Sequence, residues 1–373
     1  MPIKPIKMQL PDGVPPLTTY YIYMAGSCNL ACRHCWITPS FLAVSDVDSG
    51  ENSLPFELFE LAISEGEPLG LKHMKFTGGE PFVHPQIEHM LAYAVERQLG
   101  VSIETNGTLI TAERARFLRE KTSLTFISVS LDGATAVTHD FMRGVAGSFV
   151  RAQAGIKHLV DAGIHPQIIM SLYEGNLDEI EPLAQWVASA GCASLKLNII
   201  QDIGRGSRFT ERLQGIERLL ELGRQVEKDM QNRVSIPIHY SWPPSFKSLR
   251  YLANGGGGDS CNIHNILGIL HTGHISMCGI GQQVDELVYG LLGKDSVAEI
   301  WTKNDIIQKI RESIPYQLEG VCGDCMLRDT CMGFCPATNY YRTKNLNSPF
   351  WYCALADEAG LFPTSRKRQA KHI

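Results

Sequence analysis

The sequence predicts an α/β fold: an open (β/α)6 partial TIM barrel followed by a small C-terminal cysteine-rich domain with a β-hairpin. Three observations carry this expectation. Strand-length apolar runs alternate with helix-period segments six times between residues 19 and 235, which implies parallel strands joined by right-handed crossovers. Chemistry-bearing motifs fall at the C-terminal ends of those runs, where barrel sites are built. Cysteines then crowd the last third of the chain, beyond a Pro- and Gly-rich break in the pattern.

Taken in order, the first strand is the run Thr19-Tyr20-Tyr21-Ile22-Tyr23-Met24-Ala25, followed by a helix over about 55–65. A second strand at 73–77 precedes a helix over 86–98, and a third at 101–105 precedes one over 112–120. Strands at 125–131, 168–172 and 195–200 precede helices at 149–161, 177–190 and 208–230. Pro237, Pro243, Pro244 and the run Gly255-Gly256-Gly257-Gly258 mark an irregular connection in which no barrel strand is expected. The expected divisions are a lead-in at 1–18, the barrel at 19–235, a connection at 236–258, the cysteine-rich domain at 259–355 and a basic tail at 356–373.

Cys28, Cys32 and Cys35, spaced C-x3-C-x2-C, lie on the loop leaving the first strand. Three thiolates so placed can ligate three irons of a [4Fe–4S] cluster and leave the fourth open to a small molecule. Zinc is the alternative, but a structural zinc site wants four ligands, and His34 lies between two of the cysteines where it could hardly reach the same ion. Gly78, Gly79, Glu80 and Pro81 close the second strand. The glycines let a ligand approach the backbone, and the Glu80 carboxylate suits an ammonium group.

CxxxCxxC after one strand and GGEP after the next resemble the radical S-adenosylmethionine (SAM) enzymes. The resemblance implies that the open iron chelates SAM and that SAM is cleaved to methionine and a 5′-deoxyadenosyl radical. Thr105, Asn106, Ser130 and Asp132, at the ends of the third and fourth strands, then become candidate ligands of the ribose or the methionyl carboxylate. Their plainer role is turn formation, since Asn-Gly and Asp-Gly are turn formers in their own right. Arg143 is a candidate carboxylate partner, and Asn198 and Arg205 are further candidates. His34 stands where many relatives carry an aromatic residue beside the adenine.

Residues 265–277 alternate as a β-hairpin about Gly273, with His271 and His274 expected as turn residues. Cys261, Gly273 and Cys278 read C-x11-G-x4-C, and Cys322, Cys325, Cys331 and Cys335 read C-x2-C-x5-C-x3-C, with Cys353 beyond. These motifs resemble the SPASM extension of radical SAM enzymes, which carries two auxiliary iron–sulfur clusters. The resemblance assigns Cys261, Cys278 and Cys335 to one cluster and Cys322, Cys325, Cys331 and Cys353 to the other, making three [4Fe-4S] clusters in all. The first set has three cysteines, so its cluster keeps an open iron or takes another ligand. A zinc ribbon is the alternative, and total iron separates the two. Cys192, before the sixth strand, is left over and reads as a small buried hydrophobe at the bottom of the barrel. No other cysteine in the mouth is available as a hydrogen-atom donor.

With 373 residues and 44% hydrophobic content, the chain can bury a barrel-sized core and a smaller one. A net charge of −5 argues against a general nucleic-acid partner, and the cluster Arg366-Lys367-Arg368 with Lys371 reads as a solvated tail. The N-terminus has no signal-peptide core and no 18-residue uncharged apolar stretch occurs, so a soluble cytoplasmic protein with no membrane partner is expected. Eleven cysteines are then better explained by metal than by disulfides.

The stretches PPLTTYYIYMAGSCNLACRHCWITP and FTGGEPFVHP are most similar to maturases of nif11- and proteusin-type ribosomal precursor peptides. That neighbourhood includes spliceases, which excise tyramine from a Tyr-Gly step and leave an α-keto-β-amino acid. Peptide crosslinking by thioether or carbon–carbon bonds, epimerisation and sulfatase-type oxidation stay open, as do a non-enzymatic electron carrier and a peptide-binding scaffold. Residues 1–18 are too few for an independent leader-recognition module. A small separate recognition protein is expected as a partner, together with a precursor peptide and a flavodoxin or ferredoxin as electron donor.

Overall fold

The computed structural model describes residues 8–42, 52–253 and 261–368. The glycine run at 255–258 and Lys371, named above, lie outside them.

A ten-stranded sheet forms the centre of the fold. Neighbouring parallel strands follow chain order: β1 (Thr19–Tyr23), β2 (His73–Thr77), β3 (Gly100–Thr105), β4 (Leu124–Ser130), β5 (Gln167–Leu172), β6 (Ser194–Ile199) and β7 (Ile238–Tyr240). Between them run α1 (Phe56–Gly66), α2 (Ile87–Glu96), α3 (Ala112–Lys121), α4 (Ala136–Arg143) with α5 (Ser148–Asp161), α6 (Ile180–Ser189) and α7 (Ile216–Gln225). The expected βα alternation is therefore present through β6.

Side-chain alternation gives the sheet two different faces. Tyr20, Ile22, Met74, Phe76, Val101 and Ile103 are fully buried in one core with the helices. Helix α2 meets that core with Ile87, Met90, Leu91 and Ala94, the i, i+3, i+4, i+7 spacing of a single helical face. The intervening strand residues, among them Tyr21, Lys75, Thr77 and Glu104, are only half-buried. The inner face is thus polar, and little of the apolar core is spent on it.

Four expectations are corrected. A strand does continue past residue 236: Ile238 and Tyr240 are buried, and β7 pairs in parallel with Leu195–Leu197. Pro237, which cannot donate to a ladder, is tolerated because β7 is the last strand of the sheet. The helix expected from 208 starts only at Ile216, after Gly215 in the left-handed region at φ 83°. Helix α4, which was not expected, is capped by Thr135, whose Oγ1 accepts from Thr138 N, and closed by Gly144 at φ 71°.

The fourth correction concerns the tail. Arg366 donates to the carbonyls of Ser245 and Lys247, and Lys367 pairs with Asp357 at 2.5 Å. Up to residue 368 the basic segment is docked on the irregular connection, whose carbonyls lack strand partners and accept from the guanidinium.

The hairpin forms around Gly273 at φ 82°, from β8 (Ile266–Ile269) and β9 (His274–Ser276), with β10 (Val288–Leu291) beside it. Its placement is not local information. Strand β8 pairs in parallel with β1, from Thr19↔Ile266 to Ile22↔Ile269, so the cysteine-rich half extends the barrel sheet. Among the described residues no helix is long and apolar enough to cross a membrane.

Candidate active site

Cys28, Cys32 and Cys35 face a cleft of about 170 Å³ at the C-terminal ends of the parallel strands. The cysteine loop is held from both sides. Ser27–Cys28 pairs with Ser40–Phe41, and the GGEP turn packs beneath it so closely that a Cβ on Gly79 would lie 1.8 Å from Ser27 O. Gly78 has φ 122° against the backbone of Met24. Both glycines are therefore needed for packing, and both also line the cleft.

Burial pushes the Cys28 and Cys32 thiols above their ordinary range. Leu30 N donates to Cys28 Sγ at 3.4 Å, and Arg143 Nη1 lies 3.7 Å from Cys32 Sγ. Buried thiols supplied with N–H and guanidinium donors suit thiolates bound to a cationic centre. Among the described residues no three His, Cys, Asp or Glu side chains converge on one ion position, and the cysteines of an iron–sulfur cluster each hold a different iron. The donor set fits a [4Fe–4S] cluster.

The other candidates separate into groups. Glu80 is buried, and its carboxylate accepts from Thr105 Oγ1 at 2.6 Å, Asn106 N at 2.8 Å and Phe82 N at 3.2 Å. This corrects the expectation of a carboxylate free for an ammonium group: Glu80 ties the GGEP turn to the end of β3. Burial holds the Glu80 carboxyl above its usual range even though these donors oppose it. Thr105 is committed to Glu80 and Gly107 N. Asn106 bridges Asn29 Oδ1 at 2.8 Å and Thr108, which supports the turn reading of both residues.

Asp132 is also corrected. It is fully buried, pairs with Arg143 Nε at 2.7 Å and accepts from Ser171 N at 2.8 Å. Burial would raise its pKa, but Arg143 outweighs this and holds it below the usual carboxylate range. Arg143 thus stands between the Asp132 carboxylate and Cys32 Sγ. His34 Nε2 and Ser171 Oγ are 3.2 Å apart, and burial lowers the His34 pKa to about 4, so a neutral ring faces the cleft. Ser130 and Arg205 line the cleft, with Arg205 N bonded to Cys35 O. Asn198, opposite Ser171 on β6, is not part of its lining.

The remaining cysteines are all free and, Cys192 apart, fall into two groups. Cys261, Cys278 and Cys335 are within electrostatic reach of one another. Cys322, Cys325, Cys331 and Cys353 line a second cavity, where Phe350 N and Leu327 N donate to Cys322 and Cys325, each at 3.4 Å. Burial pushes the Cys278 and Cys331 thiols up to about 12, whereas the neighbouring Cys353 thiol holds that of Cys322 below its ordinary value. Cys192 is buried before β6, and burial lifts its thiol to about 12.

Residues 22–187 match the profile of the Radical SAM superfamily. This chain carries a radical SAM domain. Over longer spans it is similar to the AdoMet-dependent heme synthase of Methanosarcina barkeri, 29% identical over 343 residues that cover 88% of this chain and 94% of that protein. It is similar to the mycofactocin maturase MftC of Mycobacterium tuberculosis, 26% identical over 87% of this chain and 79% of that one. The antilisterial bacteriocin subtilosin biosynthesis protein AlbA of Bacillus subtilis is 34% identical over 179 residues, 48% of this chain and 38% of that protein. Two solved structures share the fold: Streptococcus suis SuiB bound to precursor peptide SuiA, and native anSMEcpe with bound AdoMet and Cp18Cys peptide. SuiB has a TM-score of 0.69 at 16% identity, covering 91% of this chain and 76% of its own. For anSMEcpe the TM-score is 0.68 at 18% identity, covering 92% and 96%.

The radical SAM cleft also contains residues that the sequence pattern did not single out. Trp36, Thr77 and Glu104 line it, and Asn29 and Ser171 brace it. Thr77 and Glu104 carried a signal, being polar residues that alternate with buried apolar ones on β2 and β3. Asn29 and Ser171 had none, because their partners are distant in sequence.

Proposed function

We propose that this radical SAM enzyme acts on a ribosomally made precursor peptide in the cytoplasm, with tyramine excision from a Tyr-Gly step as the specific reaction. When bound, the cluster and SAM supply the radical that removes a hydrogen atom from the substrate. Cys28, Cys32 and Cys35 hold the reducing cluster, and Arg143, fixed by Asp132, offsets thiolate charge at Cys32. Gly78 and Gly79 leave room for SAM against the backbone, and Ser130 and Arg205 complete the wall of its site. The two other cysteine groups hold auxiliary clusters. The observation that carries the peptide reading is the polar inner face of the sheet. Cation, anion, hydroxyl and phenol there suit a chain of amide groups, and similarity to AlbA and MftC supports the same reading. The sequence stretches around the first cysteines and GGEP support the narrower splicease assignment. A small separate recognition protein presents the leader, and a flavodoxin or ferredoxin supplies electrons.

A second reading, formation of heme from a tetrapyrrole, is favoured by the longer coverage of the heme synthase relative. The apolar faces of a flat macrocycle are less suited to this inner face than a peptide chain, and only its rim carboxylates would find a partner in Lys75. Anaerobic co-expression with a neighbouring precursor gene, with and without a small adjacent reading frame, separates the possibilities by mass. Loss of a tyramine unit indicates splicing, loss of two hydrogens a crosslink, and unchanged mass with altered chirality epimerisation. Active SAM cleavage with every peptide unmodified counts against the peptide reading, and a heme spectrum from an added iron tetrapyrrole establishes the second.

A further inference from the structure

Lys75 and Glu104 face each other on the inner side of β2 and β3, with Lys75 Nζ 2.6 Å from Glu104 Oε1. Thr77 Oγ1 donates to Glu104 Oε2 at 3.2 Å, and Lys75 Nζ lies 4.9 Å above the Tyr21 ring. Thr77 and Glu104 line the same cleft as Cys28, Cys32 and Cys35. On the other side, the charge of Lys75 acts on the thiols of Cys261 and Cys278. The pair therefore lies between the radical-generating site and the first auxiliary cysteine group.

Stabilisation alone explains the pair poorly, because an ion pair in contact with solvent contributes little to folding. This pair is not sealed: the two side chains keep 26% and 39% of their surface. An ammonium has three donors and a carboxylate about four acceptor sites. The contacts above use one donor of Lys75 and two acceptor sites of Glu104, and Lys196 on β6 adds a second positive charge that acts on Glu104. What remains is a donor and an acceptor side by side, within reach of the cleft. A lone ammonium would be repelled by Lys75 and Lys196, and a lone carboxylate would meet Glu104 directly beside the lysines. A neutral group that offers an acceptor and a donor together meets neither penalty.

We infer that the Lys75–Glu104 pair binds a main-chain amide of the substrate, Lys75 donating to its carbonyl and Glu104 accepting from an N–H. The inference rests on the peptide reading and names the residues that hold the peptide backbone across the sheet. It also gives the polar face of the sheet a specific role, in which peptide main chain is recognised independently of its side chains.

The test uses anaerobically reconstituted full-length protein and, as probe, the precursor peptide that wild type modifies in co-expression. Lys75→Met and Glu104→Gln should each raise the peptide concentration for half-maximal modification about tenfold or more, the effect of losing one charge-assisted hydrogen bond. Iron content and the thermal midpoint report folding. The exchange K75E/E104K should regain the thermal midpoint without regaining peptide affinity, because donor and acceptor are reversed. Restored affinity in the exchange variant, or unchanged half-maximal concentrations in both single variants, overturns the inference and leaves the peptide reading standing. Failure of wild type to modify any peptide overturns both. If an iron tetrapyrrole is processed instead and Lys75→Met weakens it tenfold, the pair reads a carboxylate and the amide assignment fails.

Discussion

Glu80 and Asp132 are both buried carboxylates at the cleft, and their partners determine what each can do. Glu80 is met by three neutral donors, whereas Asp132 is met by a cation, Arg143, and by Ser171 N. Removing the cation alone should be severe. Arg143→Leu leaves a buried, unpaired carboxylate and is expected to cost roughly 3–5 kcal/mol in denaturant unfolding, while Arg143→Leu with Asp132→Asn costs much less. Equal losses in both variants would show that Asp132 is not the cause. A second residue-scale prediction follows from His139, whose Nδ1 accepts from Asp132 N at 3.0 Å. Burial, then the charge of Arg143, lowers its pKa to about 4. The unfolded chain therefore takes up this proton first, and stability should fall as pH drops from about 6.5 towards 4, then level off. His139→Gln should flatten that slope in pH-dependent unfolding; an unchanged slope would move its origin elsewhere. The cysteines and GGEP were legible in the sequence because their spacing is local. The roles of Glu80 and Asp132 were not, because Thr105, Asn106, Arg143 and Ser171 reach them only through the folded sheet.

Legibility of the elements follows the same rule. Strands β1 to β6 and their helices repeat a pattern long enough to read, and Gly273 marks its own turn. Strand β7 has three residues after a proline, and α4 has eight residues between Thr135 and Gly144, too short for periodicity to show. The contact of the GGEP turn with the cysteine loop is an element-scale property with a direct test. Gly79→Ala puts a methyl 1.8 Å from Ser27 O, a clash that neither backbone can relieve by a side-chain rotation. Reconstituted protein should lose about four irons per chain, one [4Fe–4S] cluster's worth, and with them deoxyadenosine formation. Cys28→Ala, Cys32→Ala and Cys35→Ala should abolish deoxyadenosine in the same way and leave the other two cysteine groups loaded. Full iron content in Gly79→Ala would mean that the loop holds its cluster without that packing.

For the molecule as a whole, the composition break after residue 236 suggests two domains, but the sheet runs through it. Strand β8 lies against β1 on the edge opposite β2, and its Ile266, Leu267 and Ile269 are buried in the same core as Tyr20 and Ile22. Trp301 Nε1 donates to Pro15 O at 2.8 Å, joining the cysteine-rich half to the segment before β1. A chain cut after residue 258 would expose the ladder of β1 together with the apolar surface that β8 covers. An unpaired central strand is an aggregation template, and the loss of several buried isoleucine- and leucine-sized side chains, each worth about 1.5–3 kcal/mol, exceeds the margin of most domains. The prediction is that residues 1–258 aggregate on expression and bind no stoichiometric iron, whereas the full chain is soluble and cleaves SAM. Size-exclusion chromatography, iron content and deoxyadenosine formation measure this. A monodisperse truncated protein with about four irons and active SAM cleavage would show that the radical SAM half folds without β8, and that the shared sheet is a docking arrangement between independent domains.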